Sequence, residues 1–167
     1  MGKTIIAIDP GEKGYVTVLQ NGEFQFFSIA DNDREALAAF INSFSDPFLD
    51  SVAIMEEVHA IFGSSAKGTF SFGEIFGFLK GLLIAYGIPY HLVQPKAWQG
   101  EIWIQEDKVF RYKHDGKKMV DTKRTSLASA RRLFPDVDLK RTPKCKNTDD
   151  NKIDSLLICE YARRKNI

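Results

Sequence analysis

Thr4-Ile5-Ile6-Ala7-Ile8-Asp9-Pro10-Gly11 is the stretch from which the fold is read. Five residues without a charge run into Asp-Pro-Gly, the pattern of a short strand buried on both faces, ended by a carboxylate and a turn. Beyond it, Tyr15–Leu19 and Glu23–Ser28 flank Gln20-Asn21-Gly22, a hairpin signal that makes the first three strands antiparallel. Asp33 can cap a helix whose apolar residues Leu37, Phe40, Ile41 and Phe44 recur at spacings of three and four and stop before Pro47. Ser51–Met55 is a second apolar strand, and it runs straight into Glu56-Glu57. Two buried strands therefore end in carboxylates.

Downstream, the glycine- and serine-rich stretch 61–71 reads as a loop, followed by a helix from about Phe72 to Tyr86 that Gly87 ends. Gly73, Gly77 and Gly81 recur on one face of that helix, each at a cost of about 1 kcal/mol of helix propensity. The face must therefore pack closely, either on the sheet or on the same helix of a second subunit. Pro89–Val93 is the fifth strand, and Pro95 opens a turn or short helix through Trp98. Asp121-Thr122 can cap a helix reaching Phe134. After the loop 138–148, Asp150 to Arg164 forms a last helix with Ile153, Leu156, Leu157 and Tyr161 on one face. The expected class is α/β, a mixed five-stranded sheet flanked by helices, in a single domain over 1–167 with an insertion at about 100–120.

The 167 residues are 44% hydrophobic and 27% charged, a composition that excludes bulk disorder. No uninterrupted apolar run reaches the roughly 18 residues that span a bilayer, and no signal-peptide pattern opens the chain. The expectation is a cytoplasmic protein with no membrane partner and no organic cofactor. Cys145 and Cys159 stand alone, which argues against a disulfide framework or a four-ligand zinc site. Net charge is +1, but residues 108–146 hold thirteen Lys and Arg against four acids, a local +9 on a remainder of −8. A basic third on an acidic body fits a polyanion binder whose chemistry uses carboxylates.

Asp150 and Asp154 lie one turn apart on one helix face, where they can meet Asp9 and Glu56 at the strand ends. Four carboxylates in one place repel one another unless a hard cation joins them. Two such ions about 4 Å apart suit phosphodiester hydrolysis. Taken singly, each acid has an ordinary reading as turn former, helix cap or solvated strand end. Asp154 resists it, because an unpaired charge beside Ile153 and Leu156-Leu157 is costly.

Ile8-Asp9-Pro10-Gly11 with Gly14-Tyr15, and Ile54-Met55-Glu56-Glu57-Val58-His59-Ala60, resemble the RuvC family of Holliday junction resolvases. Phe70-Ser71-Phe72-Gly73, Val93-Gln94-Pro95-Lys96-Ala97-Trp98 and Asp150-Asn151-Lys152-Ile153-Asp154 are similar in order and spacing to its phage-encoded branch. The resemblance covers nearly the whole chain except 100–120. It implies an RNase H-like fold, a homodimer, and Mg²⁺- or Mn²⁺-dependent cleavage of four-way DNA junctions by paired nicks, with two ions per site. Asp9, Glu56, Asp150 and Asp154 fall on the family's metal-binding carboxylates. A bacterial spacing of three would select Asn151, so Asp150 is taken on the phage spacing of four, with Asp149 the fallback. His59 stands where bacterial members carry a junction-engaging aromatic, which passes base stacking to Phe62 or Phe70. Lys123 and Lys96 resemble lysines near the scissile phosphate, and the resemblance puts Gly73, Gly77 and Gly81 at the dimer interface.

Lys117, Lys118, Arg124, Arg131, Arg132, Lys140, Arg141, Lys144 and Lys146 would grip duplex arms through phosphates without reading sequence. His59, His91 and His114 are too scattered for a histidine metal site, and Trp98 and Trp103 read as packing residues. Competing readings are a broader branched-DNA or flap nuclease, a catalytically silent DNA-binding module, and an actin-like nucleotide-binding domain, for whose usual two lobes the chain is short.

Overall fold

The structure, a computed structural model, describes residues 2–57 and 65–167. His59 and Phe62 lie outside the described residues. Strands β1 (Thr4–Asp9), β2 (Tyr15–Gln20), β3 (Glu23–Ser28), β4 (Ser51–Glu56) and β5 (Tyr90–Val93) form one sheet in the order β3-β2-β1-β4-β5. The first three pair antiparallel, and β4 and β5 join in parallel. The β2–β3 hairpin turns at Asn21 and Gly22, both at positive φ, as a tight two-residue turn requires. The expected mixed α/β sheet is present.

Helices α1 (Arg34–Asn42) and α2 (Ala66–Ala85) cover one sheet face, while α3 (Pro95–Ile102), α4 (Thr122–Leu133) and α5 (Asp150–Lys165) cover the other. Asp33 caps α1 by accepting from Ala36 N at 2.7 Å. Between α3 and α4 come a 3-10 turn at Gln105–Asp107 and a two-stranded ribbon, β6 (Phe110–Tyr112) with β7 (Lys118–Val120). The stretch read as an insertion is thus an ordered hairpin. Its base is tied to α4: Asp107, buried, accepts from Ser129 Oγ at 2.7 Å and from the Arg132 guanidinium at 2.7 Å.

Two local readings change, and the open choice for the glycine face narrows. The stretch read as loop over 61–71 is helical from Ala66, because Ser65 caps α2 by accepting from Gly68 N at 3.1 Å. Phe70 therefore stands on a helix, with its ring exposed. The glycines at 73, 77 and 81 do not pack on the sheet. They are exposed, and a Cβ on any of them meets nothing within 4 Å among the described residues. The sheet takes Ile75, Leu79 and Leu83 instead. Finally, α5 is buried on almost every side rather than on one face, since β1, β2, β4, α3 and α4 all pack against it.

That burial forces α5 to satisfy its own polar groups. Ser155 Oγ and Thr17 Oγ1 of β2 lie 2.7 Å apart with both residues fully buried, which fixes the roll of the helix against the sheet. Lys152 Nζ donates to Lys140 O at 3.0 Å, and Glu160 accepts from Arg163 and Arg164.

Candidate active site

Strand alternation decides where the two strand-end acids point. In β1, Ile6 and Ile8 enter the cluster under α1 and α2, while Ile5 and Ala7 enter the cluster under α5. Asp9 continues the second set. In β4, Ala53 and Met55 face α2 while Val52 and Ile54 face α5, and Glu56 continues that series. Ile8 pairs with Met55 in the parallel register, so one residue further Asp9 and Glu56 are level on strands about 4.8 Å apart. Both carboxylates end adjacent parallel strands on the face that α5 covers.

The Asp-Pro-Gly turn holds Asp9 there. Gly14 N donates to Gly11 O at 3.0 Å, closing the turn that starts β2. A Cβ on Gly14 would lie 2.2 Å from Asp9 O, so no other residue fits without moving the strand end. Burial raises the Asp9 carboxyl well above the ordinary carboxylate range, and the charges of Asp154, Glu56 and Asp149 raise it further. Asp154, Glu56 and Asp149 are thus near enough for their charges to act on Asp9.

Asp154 is the most unusual of them. Burial pushes its carboxyl to about 7; Glu56 and Asp150 add to the rise, and the Ser126 hydroxyl of α4 offsets part of it. Its Oδ1 is buried without a hydrogen-bond partner among the described residues. Glu56 is raised by burial, and the indole of fully buried Trp98 opposes that rise by donating from Nε1 to Glu56 Oε1 at 2.7 Å. Reasoning from sequence placed Trp98 in the core, where it is, and missed this donor role; nothing in the spacing of residues 56 and 98 announces it.

The two candidates for the fourth acid take different positions. Asp149 is the N-cap of α5, accepting from Asn151 N at 3.0 Å and Lys152 N at 3.1 Å through Oδ1. Asp150 pairs with Lys123 Nζ at 2.8 Å, and that pairing raises the lysine. Lys123 thus joins the acidic locus from α4. Lys96 is exposed in the first turn of α3, just beyond the end of β5.

The residues suit a hard divalent cation by chemistry: oxygen donors only, largely desolvated, one of them with an unpartnered buried oxygen. As they stand, among the described residues no three His, Cys, Asp or Glu are gathered tightly enough to hold an ion.

The remaining basic residues divide. Arg132 is committed to Asp107 and to Ile102 O, and Arg141 forms a two-point pair with Asp31, so both have structural partners. Lys117 and Arg124 have looser acidic neighbours at 3.5 and 3.9 Å. Among the described residues Lys96, Lys118, Arg131, Lys140, Lys144 and Lys146 make no salt bridge, and apart from half-buried Lys140 they are exposed.

No family model and no curated protein matches the chain. Among solved structures it is similar to RuvC of T. thermophilus in complex with a Holliday junction substrate, at TM-score 0.56 and 11% identity, over 97% of this chain and 96% of that one. A second Thermus thermophilus RuvC structure aligns at TM-score 0.52 and 13% identity, over 98% and 96%. The chain has the RuvC, RNase H-like fold. At this identity the likeness establishes architecture, and the phage-encoded branch rests on motif spacing alone.

Proposed function

We propose that the chain is a divalent-metal-dependent, structure-specific DNA endonuclease that cuts four-way junctions, or closely related branched DNA, by paired nicks. What supports this is that Asp9 and Glu56 end adjacent parallel strands on the face that α5 covers, and that Asp154 of α5 has a buried oxygen without a hydrogen-bond partner among the described residues, in a chain with a RuvC fold. Asp9, Glu56, Asp150 and Asp154 are the residues that would hold Mg²⁺ or Mn²⁺, with Asp149 capping the helix behind them. When bound, the ions supply positive charge that stabilises the attacking and leaving oxygens of an in-line phosphodiester displacement.

The chain's own groups do the rest. Trp98 holds Glu56 in one orientation through its indole N–H. Lys123 stands beside Asp150, where its ammonium neutralises charge on a phosphate oxygen. Lys96, Lys118, Arg131, Lys144 and Lys146 grip the DNA arms through phosphates, so affinity falls steeply with salt. The exposed glycine face of α2, flanked by exposed Phe70 and Ile84, is the surface on which a second copy packs. Two sites related by a twofold axis match the symmetry of a four-way junction. A cytoplasmic address belongs to the same reading.

The test is a gel assay on synthetic four-way junction, flap and linear duplex with Mg²⁺. Cleavage of the junction, abolished by EDTA and by Asp9→Asn or Asp154→Asn, is expected. Undiminished cutting by both variants would overturn the assignment.

A further inference from the structure

The ribbon β6–β7 has an unusual surface. Phe110, Tyr112 and Lys118 share one side of it, because Phe110 pairs with Val120 and Tyr112 with Lys118. Tyr112 is 72% exposed, a large ring left mostly uncovered among the described residues. Lys118 Nζ sits 4.0 Å from the centre of the Phe110 ring, a cation stacked on an aromatic. Arg111, Lys113 and Lys117 add three more cations, with Asp115 as the one acid from 110 to 120. Beside the ribbon lies an open recess of about 820 Å³ lined by Arg111, Tyr112, Lys113, His114, Asp115 and Met119.

Isolated two-stranded ribbons are marginal in water. This one is held at its base. Asp121 N donates to Val109 O at 2.8 Å, Val109 N donates to Thr125 Oγ1 at 3.1 Å, and buried Asp107, paired with Arg132, lies just before it. Asp121 is also the N-cap of α4, and Lys123, two residues on, pairs with Asp150 of the candidate active site. An element anchored this firmly while presenting the exposed Tyr112 ring among cations is built to meet something outside the chain.

We infer that the β6–β7 ribbon is a base-stacking element that receives unpaired nucleobases of the branched DNA, with Tyr112 as the platform and Arg111, Lys113, Lys117 and Lys118 on the flanking phosphates. Charge complementarity selects a polyanion, and the exposed rings select splayed bases over a duplex, whose bases are already stacked. This inference rests on the nuclease reading and adds to it a contact that distinguishes branched from linear DNA.

The experiment measures binding of a four-way junction carrying 2-aminopurine at the crossover, alongside a linear duplex, with EDTA present. The stacking contribution per base predicts that Tyr112→Ala weakens junction binding roughly tenfold and abolishes the 2-aminopurine signal change, while duplex binding and melting temperature hold. Tyr112→Phe keeps the ring and retains both. Unchanged junction affinity in Tyr112→Ala, or an equal loss on junction and duplex, would overturn the inference while wild-type cleavage of the junction leaves the nuclease reading intact. A wild-type protein that neither binds nor cuts the junction would overturn both.

Discussion

The helices α5 and α2 lie on opposite faces of the same sheet and have opposite relations to it. Nine residues of α5 are buried, including Lys152, Ser155 and Glu160, each with a partner inside the chain. Only Ile75, Leu79 and Leu83 of the longer α2 are buried, and its glycine face, Phe70 and Ile84 are open. A helix packed all round by its own chain can hold a reactive side chain still, which is what Asp154 requires. A helix with an open apolar face calls for a partner. In the proposed reading the chemistry belongs to the α5 face and association to the α2 face.

The largest expected effect falls on α5: Asp154→Asn lowers junction cleavage by on the order of 10³-fold, read by single-turnover gel assay, with junction binding retained. Next, Leu157→Ala, at a fully buried α5 position, costs about 2–5 kcal/mol in urea unfolding. Ile84→Ala on exposed α2 leaves the monomer's stability within about 0.5 kcal/mol and shifts the dimer toward monomer in sedimentation equilibrium. Equal destabilisation by both would erase the contrast. Trp98→Phe keeps an aromatic ring in the core and loses the donor to Glu56, so cleavage falls about tenfold and half-maximal activation needs more Mg²⁺.

The smallest effect is on pH dependence. Asp154 has its carboxyl raised by burial from 3.8 to about 7, so the folded state binds the proton more tightly than the unfolded state. Its ionisation therefore costs stability progressively as pH rises from about 4 to about 7, and the full cost stands above that. Metal-free Asp154→Asn is expected to melt a few degrees above wild type at pH 8, with the gain shrinking toward pH 5, in a calorimetric scan.

Much of this was legible in the sequence because the signals are local. An apolar run ended by Asp9-Pro10-Gly11, another ended by Glu56, and acids four apart at the start of a helix specify strand ends and a helix face without tertiary knowledge. The Trp98–Glu56 and Asp107–Arg132 contacts join residues 42 and 25 positions apart, and only the packed fold brings them together. The start of α2 was missed because Gly68, Thr69 and Ser71 are weak helix formers, and the Ser65 cap and the continuing helix override them. The choice between Asp149 and Asp150 resisted spacing arguments for a different reason. Neighbouring residues at a helix start can both reach one locus, one by capping the helix and the other by pairing with Lys123.

The most direct test of the central claim is a Mn²⁺ titration of the DNA-free protein followed by electron paramagnetic resonance. Wild type is expected to bind saturably, Asp9→Asn and Asp154→Asn at least about tenfold more weakly, and Glu74→Gln on α2 as wild type does. Identical isotherms for all four proteins would contradict an acidic ion-binding centre between the strand ends and α5.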